Sequence, residues 1–395
     1  MPDEHQDLSD RIRAALEPDV RRHFSPEFVI CSEYFDRFTT ETAGRALARL
    51  HLLEEFREPS TPAGAIGRKG YAPRAVTALT WMLEKLAEEG FVERSGPPQE
   101  RSYLARVPAP PADSGAREKA LAISPACAPA FAVVQALDEG IEDFFAGRKT
   151  GEEILFSLAR LSLWFDYFHN DNLLYQVNNR LGAEAAARAL PRTRSSRILE
   201  LGGGAGSAAL ALLEHLAAEG RLGEVARYTF TEPVPAFQRR GERALKAQFA
   251  EVPLECRKLD MNLSLVEQGV APESVDLLYA VNTIHVARDL RRTLAGIREV
   301  VAPGGAVVFS ECVRTREGQP IYVEFIFNFL ENFVDVVTDP LIRPTHGFLT
   351  PANWRAALSA AGFERVELLP DVEALSRDYP SFFVGAITAR RPANP

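Results

Sequence analysis

The chain has 395 residues, 46% of them hydrophobic and 25% charged, which fits a globular protein of two or three domains, not one ordinary core. A formal net charge of -9 without a basic tail argues against a nucleic-acid partner, because phosphate neutralisation dominates such binding. No apolar run reaches membrane-spanning length, and the four cysteines form no C-x-x-C pair, so neither a membrane nor a disulfide framework is expected. The polar start, Met1 to Asp10, reads as no signal peptide, and a cytoplasmic location with reduced thiols follows.

Residues 1–106 read as one helical, winged-helix-like unit. Helical patterns cover 43–56 and 73–89, Gly90 stops the second, and short strands at 91–94 and 102–107 flank Gly96-Pro97-Pro98. A DNA-reading helix would be basic, yet residues 75–89 carry one lysine and three glutamates. A dimerisation or substrate-capping role, with a possible homodimer, fits better. Residues 107–190 follow as a proline-rich linker (107–114) and a helical lid. The lid is dense in aromatics between 155 and 181, and Tyr167, His169 and Tyr175 are its polar-tipped candidates for facing a substrate.

From residue 191 to 395 strands and helices alternate, with strands expected at 197–201, 227–231, 254–258, 275–280, 305–310, 363–369 and 382–388. That pattern predicts an α/β fold with a doubly wound, Rossmann-like sheet of seven strands. Its first strand runs into Glu200-Leu-Gly-Gly-Gly-Ala-Gly206, and an amphipathic helix follows. Gly202, Gly204 and Gly206 let the backbone approach a ligand closely. The spacing is not the G-x-G-x-x-G of a dinucleotide loop. It resembles motif I of class I S-adenosylmethionine-dependent methyltransferases, with Glu200 as the acidic residue.

Ligands of such sheets bind beyond the carboxyl ends of the strands. Under that resemblance, Glu232 after the second strand is placed to hold the ribose hydroxyls of S-adenosylmethionine. Asp260 and Met261 after the third strand meet the adenine, and the segment with Asn282 runs beside the methionine part. The segments 228–237, 281–290, 302–305 and 343–354 resemble methyltransferases of polyketide and mixed peptide–polyketide assembly lines. In that group a histidine after the fourth strand and a glutamate ending the fifth form a catalytic dyad, and the matching positions are His285 and Glu311. Histidine suits proton removal near neutral pH, and a carboxylate on its second nitrogen fixes the tautomer. A structural alternative has His285 capping a helix and Glu311 paired with Arg314.

The crowded apolar segment 321–333, with Phe325, suggests an apolar acceptor pocket, and His346 is a further substrate-side candidate. His169, His285 and His346 show no metal-ligand spacing, so no metal is expected. Two acceptors remain open. One is the carbon α to the carbonyl of an acyl group tethered to a carrier protein; the other is a hydroxyl of a small aromatic or polyketide metabolite.

Overall fold

The computed structural model describes residues 2–97, 100–106, 113–192, 194–377, 379 and 382–393. The chain divides into two compact units. One comprises Met1–Pro26, Phe168–Glu317 and Val336–Pro395; the other comprises Glu27–Tyr167 and Gly318–Asp335. This differs from the expected division at 106 and 190, and most of the linker expected at 107–114 lies outside the described residues.

The first unit is built on a seven-stranded sheet. In chain order its strands are β1 (Ser196–Glu200), β2 (Val225–Thr231), β3 (Leu254–Arg257), β4 (Val275–Val281), β5 (Val301–Cys312), β6 (Glu364–Leu369) and β7 (Val384–Arg390). Their spatial order is β3-β2-β1-β4-β5-β7-β6. The first five run parallel, whereas β7 pairs antiparallel with both β5 and β6. All seven residues of β4 are buried, as a central parallel strand covered on both faces requires. β5 begins earlier than the strand expected at 305–310 and takes in Pro303-Gly304-Gly305, where the register against β4 jumps from Val275/Val301 to Leu277/Ala306. Strand order reverses between β1 and β4, which puts the ligand-binding crevice at their carboxyl ends.

Two segments expected elsewhere pack in this unit. Helix Gln176–Ala189 approaches the sheet through Gly182, where a Cβ would stand 2.9 Å from both Ser310 Cβ and the Tyr279 hydroxyl oxygen. The Ser310 hydroxyl donates to the Asn178 carbonyl at 2.7 Å across the same contact. The N-terminal segment follows, with Arg22 bonded to Glu184 at 2.5 Å and the Phe24 ring 5.2 Å from that of Phe382.

The second unit is mainly helical. Helix Pro26–Arg49 is much longer than the pattern at 43–56 suggested. Its buried face carries Thr39 and Thr40, whose hydroxyls donate to the carbonyls of Phe35 and Asp36 at 3.0 Å. Polar residues satisfied within their own helix break the apolar periodicity that sequence reading depends on. Helix Ala75–Glu88 leads into an antiparallel hairpin, Val92–Ser95 with Ser102–Ala105. Segment 318–335 joins this unit because Glu324 is wholly buried and accepts from the Trp81 indole at 3.3 Å. No described helix is long and apolar enough to cross a membrane.

Candidate active site

Beyond β1 the chain makes the glycine loop and then enters helix Ser207–Ala218. Gly202 has φ +63°, and a Cβ there would stand 2.4 Å from the Thr283 methyl carbon. The loop is thus pressed against the chain leaving β4, and its Gly203 N–H donates at 2.8 Å to the carbonyl of Thr231, the last residue of β2. Gly204, at φ +55°, is the contrasting position: a Cβ there would meet nothing within 4 Å. The loop is closed on its protein side and open at Gly204.

Two carboxyls serve this loop differently. Glu232 is buried, and its oxygens accept from the N–H groups of Gly204 and Val234, both at 2.9 Å. Burial nonetheless raises its pKa above the usual carboxylate range. Glu200 lies deeper. The Tyr228 hydroxyl donates to its Oε2 at 2.9 Å, while its Oε1 is buried and has no hydrogen-bond partner. Burial, helped by the neighbouring Glu232, pushes Glu200 up to about 8.

Beyond β3, Asp260 turns its carboxylate onto the Asn262 N–H at 2.9 Å, and Gln268 bonds both main-chain groups of Asp260. Met261 is half-buried beside it. Beyond β4, Asn282 adopts φ +47° and joins the ends of β4 and β5: its N–H donates to the Ser310 carbonyl at 2.7 Å, and its Oδ1 accepts from the Cys312 N–H at 3.1 Å. The buried Tyr175 hydroxyl bonds to Asn282, and its ring stands edge-on to Phe168 at 5.0 Å. Burial raises the Tyr175 phenol above its ordinary value.

His285 sits on a single helical turn, Ile284–Val286, and is 4% exposed. Its Nδ1 lies 2.6 Å from Glu311 Oε2 at the end of β5. The other oxygen of Glu311, which is fully buried, accepts from the N–H groups of Thr283 and Ile284 at 3.1 and 2.8 Å. An ionised carboxylate only accepts, so Nδ1 carries the proton and the basic lone pair falls on Nε2. Arg314 donates to the Thr345 hydroxyl at 2.9 Å, which differs from the structural alternative of a pair with Glu311.

Two residues around His285 were missed as functional candidates, although they lie in the 343–354 segment that carried the resemblance. The Phe348 ring centroid is 4.4 Å from that of His285. Arg343 is wholly buried and donates through its two terminal nitrogens to the carbonyls of His285 and Ala287. The half-buried His346 stands nearby; its own burial, with the charges of Arg314 and Arg343, pushes it down to about 4.

The remaining substrate candidates have these surroundings within their own units. His169 is exposed, and its ring is held 3.2 Å from the Asp171 carboxylate. Tyr167 and Phe325 belong to the other unit. Tyr167 is edge-on to Trp164 at 5.6 Å, and Phe325 is fully buried between Trp81 at 5.6 Å and Phe329 at 6.0 Å. Among the described residues no group of three or more His, Cys, Asp or Glu is placed to hold a metal ion.

An adenosyl ligand fits the residues around the loop. Each Glu232 oxygen keeps a second lone pair, the acceptors that a ribose diol calls for, and Gly204 presents open space where any side chain would project. Residues 199–307 match the family model described as a methyltransferase domain. The lovastatin diketide synthase lovF of Aspergillus terreus is 28% identical over 219 residues, or 55% of this chain. The chain spans only 8% of the length of that synthase. The crystal structure of the CurJ carbon methyltransferase superposes with a TM-score of 0.78 at 21% identity, covering 98% of this chain and 99% of that one. The trans-methyltransferase CalH, in complex with SAH, gives 0.59 at 20% identity over 91% and 90%. Residues 199–307 therefore belong to the methyltransferase domain family, with S-adenosylmethionine as the cofactor, and the chain has the fold of these carbon methyltransferases.

Proposed function

We propose that this enzyme acts in polyketide or mixed peptide–polyketide biosynthesis, methylating the carbon α to the carbonyl of an acyl group carried as a thioester on a carrier protein. The observation that carries this reading is the contact of His285 Nδ1 with Glu311 Oε2 at 2.6 Å, with the second oxygen of Glu311 anchored by two N–H groups. His285 Nε2 takes the α-proton, and the electron pair of that C–H bond stays on carbon as the nucleophile. Glu311 holds the ring in the required tautomer and stabilises the imidazolium that forms. Bound S-adenosylmethionine supplies the methyl group, which leaves its sulfonium as the new carbon–carbon bond forms.

Glu232 holds the ribose, Asp260 and Met261 receive the adenine, and the loop from Glu200 through Gly202, Gly204 and Gly206 gives the cofactor room. Asn282 runs beside the methionine part of the cofactor, Tyr175 bonded to it serves the acceptor, and the neutral His346 offers the acceptor an uncharged donor and acceptor. Support for a tethered acyl acceptor comes from the similarity of this domain to a segment of a polyketide synthase.

Incubation with methyl-labelled S-adenosylmethionine tests the reading, using a β-ketoacyl thioester on a pantetheine mimic and, separately, a hydroxylated aromatic polyketide. Label on the α-carbon of the thioester, located by mass spectrometry and NMR, is the expected result. Label on oxygen of the aromatic acceptor would replace it with O-methylation.

A further inference from the structure

Arg343 is fully out of solvent, yet among the described residues no carboxylate lies within ion-pair distance of it. Its Nε has no hydrogen-bond partner, and burial draws its pKa down to about 10. A buried cation so sparsely compensated is costly, and an apolar residue of similar volume would serve packing better. What the guanidinium does have is a two-pronged grip on the carbonyls of His285 and Ala287, with the negative charge of Glu311 acting on it from nearby. Its own backbone is fixed in turn. Arg343 and Asp339 exchange main-chain hydrogen bonds at 2.8 and 2.9 Å, and the Asp339 carboxylate pairs with Arg291 at 2.6 Å on helix Leu290–Val300. Five residues further on, Phe348 covers the His285 ring.

We propose that Arg343 is a positioning residue for His285: its fork clamps the main chain of the Ile284–Val286 turn, and so sets the imidazole between Glu311 and Phe348 with Nδ1 facing the carboxylate. The inference rests on the reading of His285 as the base. Arginine is required over lysine because two carbonyls must be held at once by donors of fixed geometry.

The full-length chain carrying Arg343→Gln or Arg343→Lys tests this with three readouts. These are methyl transfer to the β-ketoacyl pantetheine thioester, calorimetric binding of S-adenosylhomocysteine, and the downfield proton signal of the His285 Nδ1–H···Glu311 bond. In Arg343→Gln, kcat is expected to fall about 100-fold, the scale of a misplaced catalytic group. Acceptor KM and S-adenosylhomocysteine affinity should stay within about threefold, and the downfield signal should broaden or vanish. Arg343→Lys should recover only a minor part of kcat, since one ammonium replaces the fork. A folded variant with wild-type kcat and an intact signal would overturn the proposal. So would a parallel loss of kcat, cofactor affinity and folded structure in both variants, which would make Arg343 a packing residue. His285→Ala separates the two levels: retained turnover in that variant overturns the base reading itself, whereas lost turnover beside unaffected Arg343 variants overturns only the clamp.

Discussion

Glu200 shows how a single residue under the glycine loop couples the site to pH. Its carboxyl is raised to about 8 by burial, against an ordinary value of 4.5. Between those values the folded chain holds a proton that the unfolded chain has lost, so stability is fully present below about 4.5 and declines as pH rises towards 8. The slope over that window is about 1.4 kcal/mol per pH unit. Cofactor-free protein should melt at steadily lower temperature from pH 5 to 8, and Glu200→Gln should flatten that part of the profile. A profile indifferent to the substitution would mean that Glu200 is ionised in the fold. His285 makes the opposite kind of prediction, for chemistry without stability. His285→Ala should cost about 10²- to 10⁴-fold in turnover, the range for a general base. Calorimetry with S-adenosylhomocysteine should find its affinity within a few-fold of wild type; loss of binding would recast the residue as structural. Both positions were legible as candidates in the sequence. That Glu200 faces Tyr228 inside the protein was not, because burial of a side chain depends on what packs over it.

At the scale of elements, the site is held by close approaches between helices and loops. Helix Pro235–Gln248 meets the glycine loop at Gly241, where a Cβ would stand 2.5 Å from the Phe230 ring and 3.1 Å from the Ala205 backbone. Phe230 in turn closes the space behind Gly203. Gly241→Ala should therefore shift the Phe230 ring into the loop, weakening S-adenosylhomocysteine binding about tenfold and costing about 1–3 kcal/mol in stability, the range for overpacking. Unaltered binding in calorimetry would show that the helix, not the loop, gives way. The alternation of strands and helices that defines this half of the chain was readable from apolar runs and glycine turns. The long helix Pro26–Arg49 was not fully so, since its threonines hide a buried face behind polar side chains.

At the scale of the whole molecule, the N-terminal 26 residues belong to the sheet unit and not to the helices that follow them in sequence. Arg22 reaches Glu184, Arg188 reaches Glu17 at 3.1 Å, and Phe24 is wholly buried against Phe382. Phe24→Ala should lower the stability of the sheet unit by about 3–5 kcal/mol, as for other large-to-small core changes. A melt followed through Tyr and Trp signals checks this; a change near zero would detach the segment from the fold. Sequence reading joined these residues to their neighbours along the chain. Nothing in a local pattern marks a partner more than 160 residues away.

By itself, the sequence determined what periodicity and special backbone positions encode: a parallel αβ sheet, a glycine loop after its first strand, and polar residues just past the strand ends. Those features are local, and the rule that ligands bind at strand carboxyl ends converts them into a site without coordinates. Tertiary structure alone decided which of those polar residues meet. It brought His285 to Glu311 and Asn282 to Tyr175, and it set Arg343 and Phe348 around the histidine. It also left Tyr167 and Phe325 packed among the aromatic rings of the other unit. The reason is physical: hydrogen bonds and ring contacts between distant segments depend on the register and packing of whole elements, which no local stretch of sequence specifies.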